Sequence, residues 1–397
     1  MGIYILEAKR SAIGKFHGKL ENVSCLDLST QVINQMVENI ELKKSDINEV
    51  IVGNVLSANQ GQNIARQIII NCKIPIECCG YSINMVCGSG MKAIANGYLS
   101  IKANHAKCII AGGVENMSNS PYLLLANDLE RLETIKKEDL ISHLIKDSLS
   151  DAILGIHMGE TAENIANKYK ISRQEQDWYA YNSHKKAVEA TQKGVFNNEI
   201  VPIHINGDEF VIDEHIRYDS NIEKMNALRT IFSKNGSVTA GNSSGINDGA
   251  CFLIISNEEL VNQGFKAKAE IIDFAQIGNQ PELMGMGAYL AIKKLIEKNS
   301  IEFSDIDLFE INEAFAVQTI AVINELAKDY NYNKEKLQEK VNISGGAIAL
   351  GHPIGASGAR IITTLITNLK ERKLKYGIAS LCVGGGMGIA MLIKNID

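Results

Sequence analysis

The chain alternates two apolar patterns. Short unbroken apolar runs, such as "CIIAGG" (108–113) and "IASLCVGGG" (378–386), read as strands buried on both faces. Ahead of each lies a Ser-Gly start followed by helix-like text, "SGMKAIANGYLSIKANHAK" (89–107) in one case and "SGARIITTLITNLKERK" (357–373) in the other. Further upstream, "SDINEVIVGNV" (45–55) and "SDIDLFEINEA" (304–314) each follow an amphipathic stretch. The same order occurs twice, which predicts two similar αβ halves.

The halves differ in one place. After its glycines the second half runs straight into a closing strand, "GIAMLIK" (388–394), whereas the first reaches its equivalent, "GACFLIIS" (249–256), only after a long segment. The pattern places a first half at 1–119 and 246–268, an insertion at 120–245 and a second half at 269–397. Within the insertion, "HMGETAENIANKYK" and "SRQEQDWYAYNSHKKAVEATQ" read as helices. A structured insertion beside a repeated core is a common place to hold a substrate.

Composition narrows the function. At 397 residues the chain exceeds what a single core usually serves, and a 45% hydrophobic fraction suffices for more than one. A formal charge of −6 advertises no basic face, so nucleic acid is not an expected partner. The start "MGIYILEAKRSAIG" is strand-like and lacks the features of a signal peptide, and no apolar run reaches membrane-spanning length. A cytoplasmic protein without a membrane partner is therefore expected. The eight cysteines (25, 72, 78, 79, 87, 108, 251, 382) show no paired CxxC spacing, so neither a disulfide framework nor a zinc site is expected, and no metal is assigned.

Four segments carry candidate chemistry. In "GYSINMVCGSGMKAI" (80–94), Cys87 stands before a Ser-Gly helix start, whose N-terminus would favour a thiolate. In "GGAIALGHPIGASGAR" (345–360), His352 sits among glycines, with a helix beginning near Ser357 whose free N–H groups would suit an oxyanion. Cys382 ends an apolar strand in "IASLCVGGGMGIA", and Asn312 and Glu313 follow another in "FEINEAFA". Each alone is ordinary, since a single histidine or strand-end cysteine is more often structural. Together they supply a thiol nucleophile, a base, a second acid/base and oxyanion donors. On this reading Cys87 should have a larger thiolate fraction than the other seven cysteines.

The ordered motifs "INMVCGSGMKAI", "AGGVENMS", "VTAGNSSGINDGA", "NEAFA", "SGGAIALGHPIGASGAR" and "CVGGGMGIA" closely resemble the thiolase family, in particular its acetyl-CoA acetyltransferases, over nearly the whole chain. The resemblance implies an α/β thiolase fold: two similar five-stranded mixed-sheet αβ halves stacked in layers, with a loop-domain insertion in the first half. It implies reversible Claisen condensation of two acetyl-CoA to acetoacetyl-CoA and CoA, with no cofactor beyond the coenzyme A thioester substrates. Cys87 would accept the acyl group, His352 would activate it, and Cys382 would exchange a proton with the second substrate. One oxyanion site would combine His352 with a water held by Asn312; the other would use the N–H groups of Cys87 and Gly384. Substrate and CoA positions carried over are His157, Met158, Arg217, Phe232, Ala240, Ser244, Met284, Ala314 and Phe315. Among these, Ser244 would bind the pantetheine, Arg217 would lie against the adenine nucleotide, and His157 and Met158 would close the acyl pocket. A homodimer or homotetramer is the family's usual assembly.

The departures are mostly lost prolines: "RSAIG" (10–14), "RTIF" (229–232) and "MGMGA" (284–288) stand where the family has Pro. They bear on loop rigidity and on no proposed catalytic atom. A nicotinamide oxidoreductase is disfavoured because Gly351, Gly355 and Gly358 miss the dinucleotide spacing. Condensing enzymes of carrier-protein thioesters pair one cysteine with two histidines, and Cys382 holds the second histidine's place. A non-catalytic CoA or lipid carrier would have no need of Cys87, His352 and Cys382 together. A broader-range degradative 3-ketoacyl-CoA thiolase remains the alternative within the family.

Overall fold

The computed structural model describes residues 2–128 and 134–396. In the first half the main strands are β1 (Ile3–Ser11), β2 (Glu49–Gly53), β3 (Cys79–Ile83), β4 (Cys108–Asn116) and β5 (Asn247–Asn257). They form a sheet in the order β3-β2-β4-β5-β1. Strands β6 (Ala269–Gly278), β7 (Leu308–Ile311), β8 (Tyr376–Val383) and β9 (Met387–Asn395) follow in the order β7-β8-β9-β6. Each set pairs its first-made strands in parallel (β2 with β3 and β4; β7 with β8) and closes antiparallel. The repeat read from the sequence is thus a repeat of topology.

The second sheet departs from the five strands implied by the family resemblance. Its fifth position is a single parallel bridge, Phe309 to Val341, among the described residues. The two sheets also meet edge to edge, through two residue pairs between β1 and β6: Tyr4 with Glu270 and Ile5 with Ala269.

Between the sheets lie α3 (Ser89–Lys102) and α8 (Ile354–Glu371). Met91, Ile94 and Tyr98 of α3 and Ala359, Ile362 and Leu365 of α8 share one core with Ile109 of β4 and Leu381 of β8. Helices lie on both faces of the first sheet, which is why its central strand β4 is buried at every position. The helices touch closely at Gly90, where a Cβ would stand 2.7 Å from the Gly355 carbonyl oxygen. The Ser-Gly starts therefore serve helix packing, as at Gly358, where a Cβ would stand 2.3 Å from the Met91 nitrogen. Helices α1 (Cys25–Asn39) and α2 (Ile64–Asn71) cover the outside of the first sheet; α6 (Gly287–Asn299) and α7 (Ala316–Asp329) cover the second.

Strands β4 and β5 are neighbours in register, Asn116 opposite Asp248, so the segment between them starts and ends at adjacent positions of the sheet. That segment contains α4 (Met158–Tyr169) and α5 (Arg173–Gln192), which pack on the outer core of the second half. Helix α5 starts with a capping box in "SRQE": Ser172 Oγ accepts from the Glu175 N–H and Glu175 reaches back to the Ser172 N–H. No described helix is long and apolar enough to cross a membrane.

Candidate active site

Cys87 stands in the turn between β3 and α3, and that turn is strained. Val86 adopts φ +44°, a left-handed conformation that costs a non-glycine residue about 1–3 kcal/mol. Side chains hold it there. Asn84 Oδ1 accepts from the Val86 N–H at 2.9 Å, while Ser89 Oγ accepts from the Met85 N–H at 2.8 Å and donates to the Val86 carbonyl at 2.7 Å. The thiol is thereby presented just ahead of the first turn of α3.

The backbone N–H groups of Gly384 and of Cys87 itself favour the Cys87 thiolate. Cys382, at the end of β8, lies close enough that the two thiols interact electrostatically. Cys87 is partly exposed as a residue, yet enclosure of its sulfur pushes the thiol up to about 11, outweighing the pull of both N–H groups. The expectation that Cys87 holds a larger thiolate fraction than the other seven cysteines is therefore not met, since burial pushes Cys72 and Cys78 to about 11 as well. Burial defeats the helix N-terminus, so Cys87 rests as a thiol at neutral pH. Burial, reinforced by Cys87, also holds Cys382 well above its ordinary value.

The tautomer of His352 is set by its neighbours. Ser357 Oγ lies 2.6 Å from His352 Nδ1 and donates its own hydrogen to the Pro353 carbonyl at 2.9 Å. The serine oxygen therefore accepts from Nδ1–H, which leaves Nε2 as the basic nitrogen. Burial, with Arg360 adding to it, pushes the ring down to about 4, so the imidazole is neutral at physiological pH. Its backbone is pinned by the His352 N–H donating to Asn247 Oδ1 at 3.0 Å. Nε2 is buried and has no hydrogen-bond partner among the described residues; neither has the Asn312 amide, at either atom. Asn312 follows β7 and donates its N–H to the Ser380 carbonyl on β8, two residues before Cys382. Unpaired buried polar groups each cost about 1–3 kcal/mol, and such groups mark places where a ligand is received.

The start of α8 behaves differently from the sequence expectation. The helix begins at Ile354, and its first N–H groups are not free: Gly355 donates to Glu115 Oε2 at 2.9 Å, and Ala356 and Ser357 both donate to the Pro353 carbonyl. An oxyanion site from these groups is excluded. The roles of Glu115 and Ser357 were missed because their partners lie on the loops they hold. The one legible signal was their presence inside the quoted motifs.

The substrate-side residues form a second group. The His157 ring stacks on Phe232, centroids 4.7 Å apart, and Phe232 meets Phe315 edge-on at 6.2 Å. His157 also caps α4, Nδ1 accepting from the Gly159 N–H at 3.0 Å. Phe315 pairs with Ser243, and the Ser244 N–H donates to the Ala314 carbonyl at 2.9 Å, so the "GNSSG" turn is stitched to "NEAFA". Arg217 is exposed, and its N–H donates to His184 Nδ1 at 3.2 Å. Its segment lies on the Ser244 turn: a Cβ at Gly245 would stand 2.3 Å from His215 Cε1. Ala240 is exposed at the tip of the neighbouring turn. Met158 and Met284 pack with the outer core of the second half. Cys87 packs instead against a cluster of Val55, Leu56, Met117 and Ile354, which Leu144, Leu149 and Ile246, from the insertion and its end, also touch.

Residues 3–259 match the family model described as Thiolase, N-terminal domain, and residues 265–395 that described as Thiolase, C-terminal domain. The chain is 44% identical to an Escherichia coli protein named acetyl-CoA acetyltransferase, over 99% of each chain. A Bacillus anthracis acetyl-CoA acetyltransferase structure superposes with a TM-score of 0.93 at 40% identity, covering 100% of this chain and 99% of that one. Human mitochondrial 3-ketoacyl-CoA thiolase in complex with CoA gives 0.92 at 36% identity, over 100% and 98%.

Proposed function

From its membership of the thiolase family, as an acyltransferase of that family, we propose that the protein is an acetyl-CoA C-acetyltransferase. Cys87 Sγ attacks the thioester carbonyl of one acetyl-CoA while His352 Nε2 takes its proton. The CoA sulfur leaves with the proton of Cys382, which becomes a thiolate beside acetyl-Cys87. Cys382 then removes a methyl proton from the second acetyl-CoA. The enolate oxygen is stabilised by His352 Nε2–H and a water held by Asn312. The new carbon–carbon bond forms at the acetyl carbonyl, whose oxyanion meets the N–H groups of Cys87 and Gly384. Cys87 leaves as thiolate and recovers its proton from His352, so every proton is accounted for. Ser244, Arg217, Ala240, Ala314 and the His157–Phe232–Phe315 stack would hold the CoA and acyl parts.

The observation that carries this reading is the strained turn that presents Cys87 just ahead of α3, beside a second buried thiol, Cys382. Its test is CoA-dependent cleavage of acetoacetyl-CoA by wild type and Cys87→Ala. Activity confined to the wild type is expected, and an inactive, folded wild type would overturn it. A broader-range 3-ketoacyl-CoA thiolase is the second reading, favoured by the human structural neighbour of that name. Preference for long acyl chains would select it.

A further inference from the structure

Glu115 closes β4 and is fully buried. Four N–H groups converge on its carboxylate. Oε1 accepts from Asn54 Nδ2 at 3.0 Å and the Leu56 N–H at 2.9 Å; Oε2 accepts from the Val55 N–H at 3.0 Å and the Gly355 N–H at 2.9 Å. Three of these donors belong to the loop after β2, whose Val55 and Leu56 side chains form the wall against which Cys87 packs. The fourth belongs to the other half of the molecule, three residues beyond His352, where Ile354 joins the same wall. There is little slack at this junction, because a Cβ on Gly113 would stand 2.0 Å from the Gly355 carbonyl oxygen. Every partner is a donor. An amide in place of the carboxylate would set its NH2 against two of them whichever way it turned.

Resting on the thiolase reading above, we propose that Glu115 is a positioning residue for acyl transfer, clamping the His352 loop of the second half onto the Cys87 pocket of the first. Burial pushes Glu115 up to about 7, and above that its charge has a second effect, opposing formation of the Cys87 thiolate. The other titratable groups in these surroundings are Cys382 beside Cys87, Asp248 on β5 and Cys25 on α1.

The test uses the full chain as wild type, Glu115→Asp and Glu115→Gln, with two readouts: steady-state cleavage of acetoacetyl-CoA, and iodoacetamide labelling of Cys87 as a function of pH. Asp keeps the charge and both oxygens but is one methylene shorter, so it cannot reach both loops. Its kcat should fall about 100-fold, the scale of roughly 1 Å misplacement of a catalytic group, with KM for CoA held within about twofold. Gln should show a similar loss, and its labelling midpoint should drop by about half a pH unit or more as the charge is removed. If Gln does not yield folded protein, Asp decides alone. A folded Asp variant with near-wild-type kcat, or one whose KM rises while kcat holds, overturns the clamp; so does a Gln labelling profile identical to wild type. A wild type without CoA-dependent cleavage refutes the thiolase reaction instead, and the labelling profiles then decide the clamp separately.

Discussion

Replacing Ser357 with Ala removes one oxygen and tests how the base is prepared. In the wild type that oxygen accepts from His352 Nδ1–H at 2.6 Å and donates to the Pro353 carbonyl at 2.9 Å, so it selects the tautomer with a basic Nε2. Without it, a buried N–H loses its acceptor, at a cost of about 1–3 kcal/mol. The ring can escape that cost by moving the hydrogen to Nε2 or by rotating, and either leaves it unable to take the Cys87 proton. The productive form is then disfavoured by the same amount. At about 1.4 kcal/mol per decade, kcat for acetoacetyl-CoA cleavage should fall roughly 5- to 150-fold. KM should change little, because Ser357 is buried and reaches substrate only through His352. The assay is initial-rate cleavage with free CoA, beside a melting curve showing that the variant remains folded. A folded Ser357→Ala protein with wild-type kcat would refute the tautomer argument. A loss carried wholly by KM would refute it too.

Other outcomes follow from the same geometry. Cys382→Ala should still become acetylated on Cys87 from acetyl-CoA, while multiple-turnover condensation and thiolysis fall by about 10² to 10⁴, the usual worth of a positioned acid/base; mass spectrometry of the acyl-enzyme checks it. Met158→Ala should narrow the preference for acetoacetyl-CoA over 3-ketohexanoyl-CoA, because room for two more methylenes at about 0.8 kcal/mol each amounts to roughly 15-fold in kcat/KM; an unchanged ratio would remove Met158 from the acyl pocket and leave Leu144 and Leu149 as the lining to examine. Iodoacetamide at neutral pH should modify the exposed Cys79 with activity retained, and inactivation should track Cys87 labelling and quicken about tenfold per pH unit toward about 11; inactivation without Cys87 labelling would overturn that. Burial keeps His352 and His215 neutral down to about 4 and His184 to about 3, whereas the unfolded chain takes up these protons below about 6.5. Their contribution to stability is thus present above pH 6.5 and lost as pH falls toward 4, by up to about 1.4 kcal/mol per pH unit for each histidine. The urea midpoint should fall across this window, and less steeply in His184→Gln.

What the sequence determined by itself was local or periodic. Unbroken apolar runs such as "CIIAGG" specify strands covered on both faces, and their recurrence with the same helix text specifies the doubled topology. "SRQE" specifies a helix start because both partners of its capping box lie within four residues. Cys87, His352, Cys382 and Asn312 were legible because each sits in a contiguous motif whose glycines or strand ends display it. The tertiary structure decided what those groups are once enclosed. Whether Cys87 rests as thiol or thiolate depends on burial by the second half and the insertion, and that enclosure outweighs the helix N-terminus read from its neighbours. The N–H groups opening α8 look free in one dimension, yet that of Gly355 is taken by a carboxylate about 240 residues earlier in the chain and those of Ala356 and Ser357 by the Pro353 carbonyl. The basic nitrogen of His352 is chosen by a hydroxyl whose own hydrogen is claimed by Pro353, a choice that exists only after the turn has closed. The fifth strand of the second sheet contracts to the Val341 bridge, although the topology around it is repeated. Proton positions and polar pairing depend on which groups burial brings within about 3 Å, and sequence spacing carries no measure of that distance.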